Sequence, residues 1–153
     1  MKKKETVLSV VQELRDIFKQ RLSITVLEKP ICSKDGRFVR NADGTVTDKQ
    51  LNLIWYPTLP EKFKWEQAKQ ECEKIGCRLP TRKELESLLD LAKYKPAIDK
   101  EMFPDTKTDD YYWTSDTCAW GTGYAWYVGL KSGNVYYYNK DYTSYVRPVR
   151  SSQ

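Results

Sequence analysis

Apolar residues in the first part of the chain fall at Val7, Val10, Val11, Leu14, Ile17, Phe18 and Leu22, with charged residues between them. That is the spacing of one helical face and predicts a helix from Thr6 to about Leu22. The subset Val7, Val11, Leu14 and Phe18 also follows the alternating four-and-three step of a coiled-coil seam. Two heptads do not decide whether this helix lies on its own domain, associates with another copy of the chain or docks on a partner protein. Ser23 to Leu27 reads as a short strand or extended link ending near Pro30. The organisation expected is therefore a helix and link over residues 1–30, then one domain over 31–153.

From Phe38 to Trp55 the pattern is that of a hairpin, with Asp43 and Gly44 in the turn and Thr45 to Thr47 opening the return strand. Setting Gly44 as the glycine of a calcium loop would place Val39 at the first ligand position and Gln50 where a bidentate Glu is required, so the segment reads as a turn. Helical spacing returns in Trp65, Ala68, Cys72 and Ile75, with Gly76 suited to the position just past the helix end. Thr81, with Glu84 three residues on, forms a capping box that opens a second helix with Leu85, Leu88, Leu89 and Ala92 facing inward. Beyond Tyr111 several short strands are expected, around YYWTSD, AWYVGL, NVYYYN and SYVRPVR, broken at Gly121 to Gly123 and at Ser132 to Asn134. A hairpin, two helices and an antiparallel sheet make an α+β fold.

That last region changes the picture most, because nine of the eleven tyrosines lie in it, at 111, 112, 124, 127, 136, 137, 138, 142 and 145, among Gly, Ser, Thr, Asn and Asp. Tyr gives a large, rather rigid, amphipathic contact area at low entropic cost, and short polar residues add adaptable hydrogen bonds. Aromatic residues are also good strand formers. Yet Tyr136, Tyr137 and Tyr138 cannot all enter one core, since successive strand side chains alternate between faces. Which of the three faces outward is a question of register that the sequence leaves open.

Composition narrows the chemistry. A chain of 153 residues, 40% of them hydrophobic, suffices for one compact domain. Its 26 basic and 21 acidic residues are interspersed, so the net charge of +5 describes a mixed solvated surface and nucleic acid is not the expected partner. There is no histidine, which excludes His-based triads and His-based metal sites. Four cysteines without a CxxC pair, at 32, 72, 77 and 118, read as reduced thiols, and no metal or cofactor is expected. No segment has the roughly 20 apolar residues of a membrane span, and the start of the chain lacks the marks of a secretory signal. The cytoplasm is the expected location, with a phage particle or non-classical export as the alternatives.

An ordered set of short motifs resembles one family. It comprises Asp43-Gly44-Thr45-Val46-Thr47-Asp48, Leu53-Ile54-Trp55, Arg78-Leu79-Pro80-Thr81 with Glu84-Leu85, Tyr112-Trp113-Thr114-Ser115, Ala125-Trp126-Tyr127-Val128, Gly133-Asn134-Val135 and Tyr145-Val146-Arg147-Pro148-Val149-Arg150. The family is the Legionella collagen-like protein C-terminal domain, and the resemblance covers about Arg37 to Arg150. It implies a C-type-lectin-like fold. Cys77 stands where the family often has Trp.

One group within that fold is the variable proteins of diversity-generating retroelements, whose adenine-directed mutagenesis of AAY codons yields Tyr, Asp, Ser, Thr, Gly and Asn but not Lys, Glu, Gln, Trp or Met. Tyr136, Tyr137, Tyr138, Asn139, Asp141, Tyr142, Thr143 and Ser144 all pass that filter, and the exception, Lys140, reads as a fixed position. Upstream, Asp116, Thr117, Tyr124, Tyr127 and Gly129 also pass, while Trp113, Trp126 and Val135 read as scaffold. The resemblance thus implies a diversified ligand-binding surface rather than an enzyme. Tyr136, Tyr138 and Tyr142 would be its anchors, with Asp116, Asn139, Asp141 and Thr143 fixing orientation. Recognition of a glycan or glycosaminoglycan without calcium is the rival reading. Formylglycine-type oxidation through Cys72 and Cys77 is the third.

Overall fold

The computed structural model describes residues 10–17 and 29–153. The expected Ser23 to Leu27 link and both ends of the expected Thr6 to Leu22 helix fall outside the described residues. What is described of that helix, α1 over 10–17, is helical with every residue exposed, including Val10, Val11, Leu14 and Ile17.

Strands β1 (Ile31–Cys32), β2 (Phe38–Arg40), β3 (Val46–Asp48) and β4 (Leu53–Trp55) form an antiparallel meander, and β10 (Val149–Ser151) pairs with β4 to complete a five-stranded sheet. The expected hairpin is thus present, and Trp55 belongs to a third strand of it. Its turn is made by side chains: the Asp43 carboxylate accepts from the Thr45 N–H at 2.9 Å and from the Thr45 hydroxyl at 2.6 Å. Those bonds draw the Asp43 carboxyl below its ordinary value.

Strand β5 (Phe63–Lys64) pairs with β9 (Thr143–Ser144), and α2 (Trp65–Lys74) follows it, with Trp65, Ala68 and Cys72 buried. Gly76 has φ +69 just past the helix end, the left-handed conformation that closes helices. The capping box of α3 (Arg82–Glu86) is present in both directions, Thr81 to Glu84 and back. The helix stops well short of the expected length. The Ser87 hydroxyl donates to the Glu84 carbonyl at 2.6 Å, and the Ser87 carbonyl is taken by Arg37 Nη1 at 2.9 Å, so both groups compete with continued helix. Leu85 and Leu88 are buried as expected and Leu89 partly so, but Ala92 lies beyond the helix and is exposed.

Strands β6 (Tyr112–Cys118), β7 (Gly121–Gly129) and β8 (Asn134–Asn139) form a three-stranded antiparallel sheet. The break between β6 and β7 is Ala119-Trp120, and Gly121 to Gly123, expected as the break, open β7 instead. The turn into β8 needs Gly133, whose φ is +83. One core cluster packs the five-stranded sheet, through Val46 and Trp55, against Leu85, Phe103, Tyr112 and Val128. A second packs α2 against Trp113, Ala125 and Tyr127 on the other side of the three-stranded sheet. Arg147 is fully buried between them. It donates to Thr58 Oγ1 at 2.9 Å, Asp105 Oδ1 at 3.1 Å and the Tyr56 carbonyl at 3.1 Å. Burial opposes the charge of Asp105, but Arg147 and the bonds from Thr58 outweigh it and hold that carboxyl below the ordinary range.

Candidate functional site: a tyrosine face on the three-stranded sheet

Register places the tyrosines. Tyr127 lies opposite Tyr136 and Ala125 opposite Tyr138, while Trp126 lies opposite Tyr137 and Tyr124 opposite Asn139. Residues directly opposite share a face. Tyr127, Tyr136 and Tyr138 therefore lie on one face of the sheet, and Tyr124, Trp126 and Tyr137 on the other.

On the first face four rings form a file. Tyr111 stacks on Tyr127 with centroids 4.2 Å apart, Tyr127 on Tyr138 at 5.3 Å, and Tyr138 on Tyr142 at 4.7 Å. The file runs outward: Tyr127 is 8% exposed, Tyr138 37% and Tyr142 57%, with Tyr136 beside them at 55%. Its floor is Trp113, fully buried, 5.7 Å from the Tyr127 ring and donating its indole N–H to the Phe63 carbonyl at 2.8 Å. Tyr111 owes its place to Gly129, because a Cβ there would stand 2.9 Å from the Tyr111 ring. Burial, and then the phenols of Tyr111 and Tyr138, push the Tyr127 hydroxyl up to about 12, so it stays neutral at ordinary pH.

The turn after β8 holds Tyr142 in the file. The Asn139 side chain accepts from the Asp141 N–H at 2.9 Å, and its carbonyl accepts from the Tyr142 N–H at 3.1 Å. Lys140 crosses back to place its ammonium 3.8 Å from the Trp65 ring centroid and 2.9 Å from Thr117 Oγ1, so its side chain is committed within the fold.

The opposite face carries a second, separate group. Trp120, 61% exposed at the hairpin tip, lies 5.0 Å from Tyr124 and 4.9 Å from Tyr137, and Arg82 covers Trp126 at 4.5 Å.

Of the residues expected to meet a ligand, Tyr136, Tyr138 and Tyr142 come together on one face, with Asp141 exposed in the turn after β8 and Thr143 exposed in β9. Others are placed differently. Tyr124 and Tyr137 belong to the opposite face, and Thr117 is exposed but holds Lys140. Asp116 is half-buried and accepts from the Arg82 N–H at 2.5 Å, steadying the first turn of α3 rather than facing outward. Tyr127 is sealed between two rings, Asn139 is spent on its turn, and Ser144 is fully buried against β5 with no partner for its hydroxyl among the described residues. Gly129, allowed by the codon filter, is the seat of Tyr111 and belongs to the scaffold. Trp120 was missed. Its signal in the sequence is a large apolar residue lying between the expected strands YYWTSD and AWYVGL, beside the glycines expected to break them, where no core awaits it.

The cysteines are free. Burial pushes the Cys72 thiol up to about 12 and raises Cys77 and Cys118, so these three thiols are protonated and poorly nucleophilic.

The family model of the Lcl C-terminal domain, that of the Legionella collagen-like proteins, matches residues 44–150 of the 153. No curated protein and no solved structure matches the chain. The chain belongs to the Lcl C-terminal domain family.

Proposed function

We propose that this member of the Lcl C-terminal domain family is a ligand-binding module without catalytic activity, a diversified variable protein of a retroelement on a C-type-lectin-like scaffold. The observation that carries the reading is the outward-running file Tyr127–Tyr138–Tyr142 with Tyr136 beside it, seated on the buried Trp113. Such an arrangement holds large aromatic anchors at little entropic cost, as binding hot spots require. The division of labour over residues 136–144 supports diversification in part. Lys140, which the codon filter forbids, has its side chain engaged by Trp65 and Thr117, whereas Tyr136, Tyr138, Asp141, Tyr142 and Thr143, which it permits, are exposed; the permitted Asn139 and Ser144 are engaged and buried. The pairing of β10 with β4, which returns the end of the domain to the sheet built by its first four strands, supports the lectin-like scaffold.

Sequencing the DNA around the coding region tests this directly. The expected result is a nearby reverse transcriptase and a near-copy of the segment for Tyr111 to Arg150 that differs at adenines in codons 136 to 143, sparing Lys140. Absence of any such copy leaves a binding domain of fixed specificity. The exposed indole of Trp120 favours a glycan for that second reading, because an open aromatic face suits a sugar ring. Calcium-independent retention on a glycan array, abolished by Trp120→Ala, is its expected signature.

A further inference from the structure

The sheet edges of this domain are not alike. Strand β1 has two residues and follows Pro30, and β5 and β9 have two residues each. At the β10 edge, Val149 exchanges backbone bonds with Arg78 at 2.9 and 3.0 Å. Strand β6 shifts register twice and is covered where Trp113 and Tyr145 bond at 3.0 Å. Shortness, proline, bulges and cover are the usual protections of an edge. Strand β8 is neither short nor bulged, and among the described residues its edge is covered by its own tyrosine rings alone. It runs for six residues in unbroken register with β7, and its sequence NVYYYN holds no charge and no proline.

The direction of its free groups follows from one bond. Lys140 N–H donates to the Gly123 carbonyl at 2.9 Å, continuing the register that sets Asn139 opposite Tyr124. Bonded pairs alternate along an antiparallel ladder, so Tyr138 and Tyr136 turn their backbone groups towards β7. Val135 and Tyr137 turn theirs outward, and among the described residues no hydrogen bond reaches them. The rings of Tyr136 and Tyr137 stack at 4.9 Å although successive side chains leave opposite faces, so they meet around this edge.

We propose that two copies of this chain associate through antiparallel pairing of their β8 edges, joining the two three-stranded sheets into one. The sequence of the strand selects this occupant. Centring the twofold on Tyr137 sets Tyr137 against itself, Val135 against Asn139, whose carbonyl also accepts from the Tyr142 N–H, and Tyr136 against Tyr138 of the second copy, an aromatic cross-strand pair. No like charges meet within the strand. The antiparallel sense brings the Lys131 end of one copy beside the Asp141 end of the other, whereas a parallel pair would set Lys131 beside Lys131. Edge pairing leaves the faces open, so the two tyrosine files become one continuous surface. The association stands whether or not that surface meets a ligand.

Sedimentation of the full chain across a concentration series tests it. The wild type is expected to rise from its 18.0 kDa monomer towards the dimer. Tyr137→Pro should stay at the monomer mass with unchanged circular dichroism, because an edge strand tolerates proline where the N–H faces outward. Y137K and Y137E provide a second route that does not depend on proline. Each places like charges across the twofold and should be monomeric alone, while an equimolar mixture associates. The proposal is overturned by a wild type that stays monomeric up to its solubility limit, or by Tyr137 variants that associate as the wild type does. A mixture of Y137K and Y137E that fails to associate overturns it too, as does association abolished by Leu14→Asp in α1 with the Tyr137 variants unaffected.

Discussion

In the five-stranded sheet, β3 and β4 bury their first and third residues, Val46 and Asp48, Leu53 and Trp55, and leave the middle one half-buried. In the three-stranded sheet, β8 alternates just as regularly but buries nothing: Asn134, Tyr136 and Tyr138 are exposed and Val135, Tyr137 and Asn139 half-buried. The same period of two serves opposite ends. Strands β3 and β4 are interior, so their alternation sorts core from near-core. Strand β8 is an edge with open space beside it, so its alternation sorts one contact surface from another. Charge is divided in the same way. The buried carboxylate Asp48 and the buried guanidinium of Arg147 tie loops to the scaffold, while the exposed side of the tyrosine file is made of neutral rings.

The difference between the two regions can be broken at its strongest point by Asp48→Ala. Asp48 is fully buried and receives Arg37 in two bonds, Nε to Oδ1 at 3.0 Å and Nη2 to Oδ2 at 2.7 Å, and it also accepts from the Gln50 N–H at 3.0 Å. Removing one partner of such a pair strands the other, a loss of about 3–5 kcal/mol. Denaturant unfolding of the variant is expected to show it.

Acid should act on the scaffold by a smaller amount. Burial raises Glu84 and Asp105, but for Glu84 the bonds from Arg78 and the Thr81 N–H, and for Asp105 the Arg147 charge and Thr58, bring both below their ordinary values of 4.5 and 3.8. A carboxyl lowered in the fold adds stability that is complete above its unfolded value and is lost as pH falls through the folded one. The melting temperature is therefore expected to hold from neutral pH to about 5 and to decline below about 4.5. The Arg78→Ala variant, which removes the main support of Glu84, should show a shallower decline.

At the other extreme, Tyr142→Ala removes an exposed ring whose neighbours keep their own contacts. Its unfolding free energy should stay within about 0.5 kcal/mol of wild type. A large loss of stability would mean that the file is scaffold, and the contrast between the two sheets would fail.

Much of the fold was legible in the residues themselves. The Thr81 and Glu84 box, the Gly76 helix end, the Asp43-Gly44 turn and the alternation of NVYYYN each report an interaction within a few residues, and each lies where its pattern places it. So did the prospect that at least one of three consecutive tyrosines must face outward. What the residues did not reveal depends on partners far along the chain. The end of α3 is set by Arg37, fifty positions earlier. Asp116 turns inward because the Arg82 N–H waits for it, and Gly129 is held by the ring of Tyr111. Ser144 is enclosed because β9 meets β5. Local pattern determined which elements form and that the tyrosine-rich end is two-faced, because capping and alternation are short-range effects. Only the tertiary structure decided which face gathers Tyr136, Tyr138 and Tyr142 and which edge stays open, because register and burial are settled by elements that the sequence holds apart.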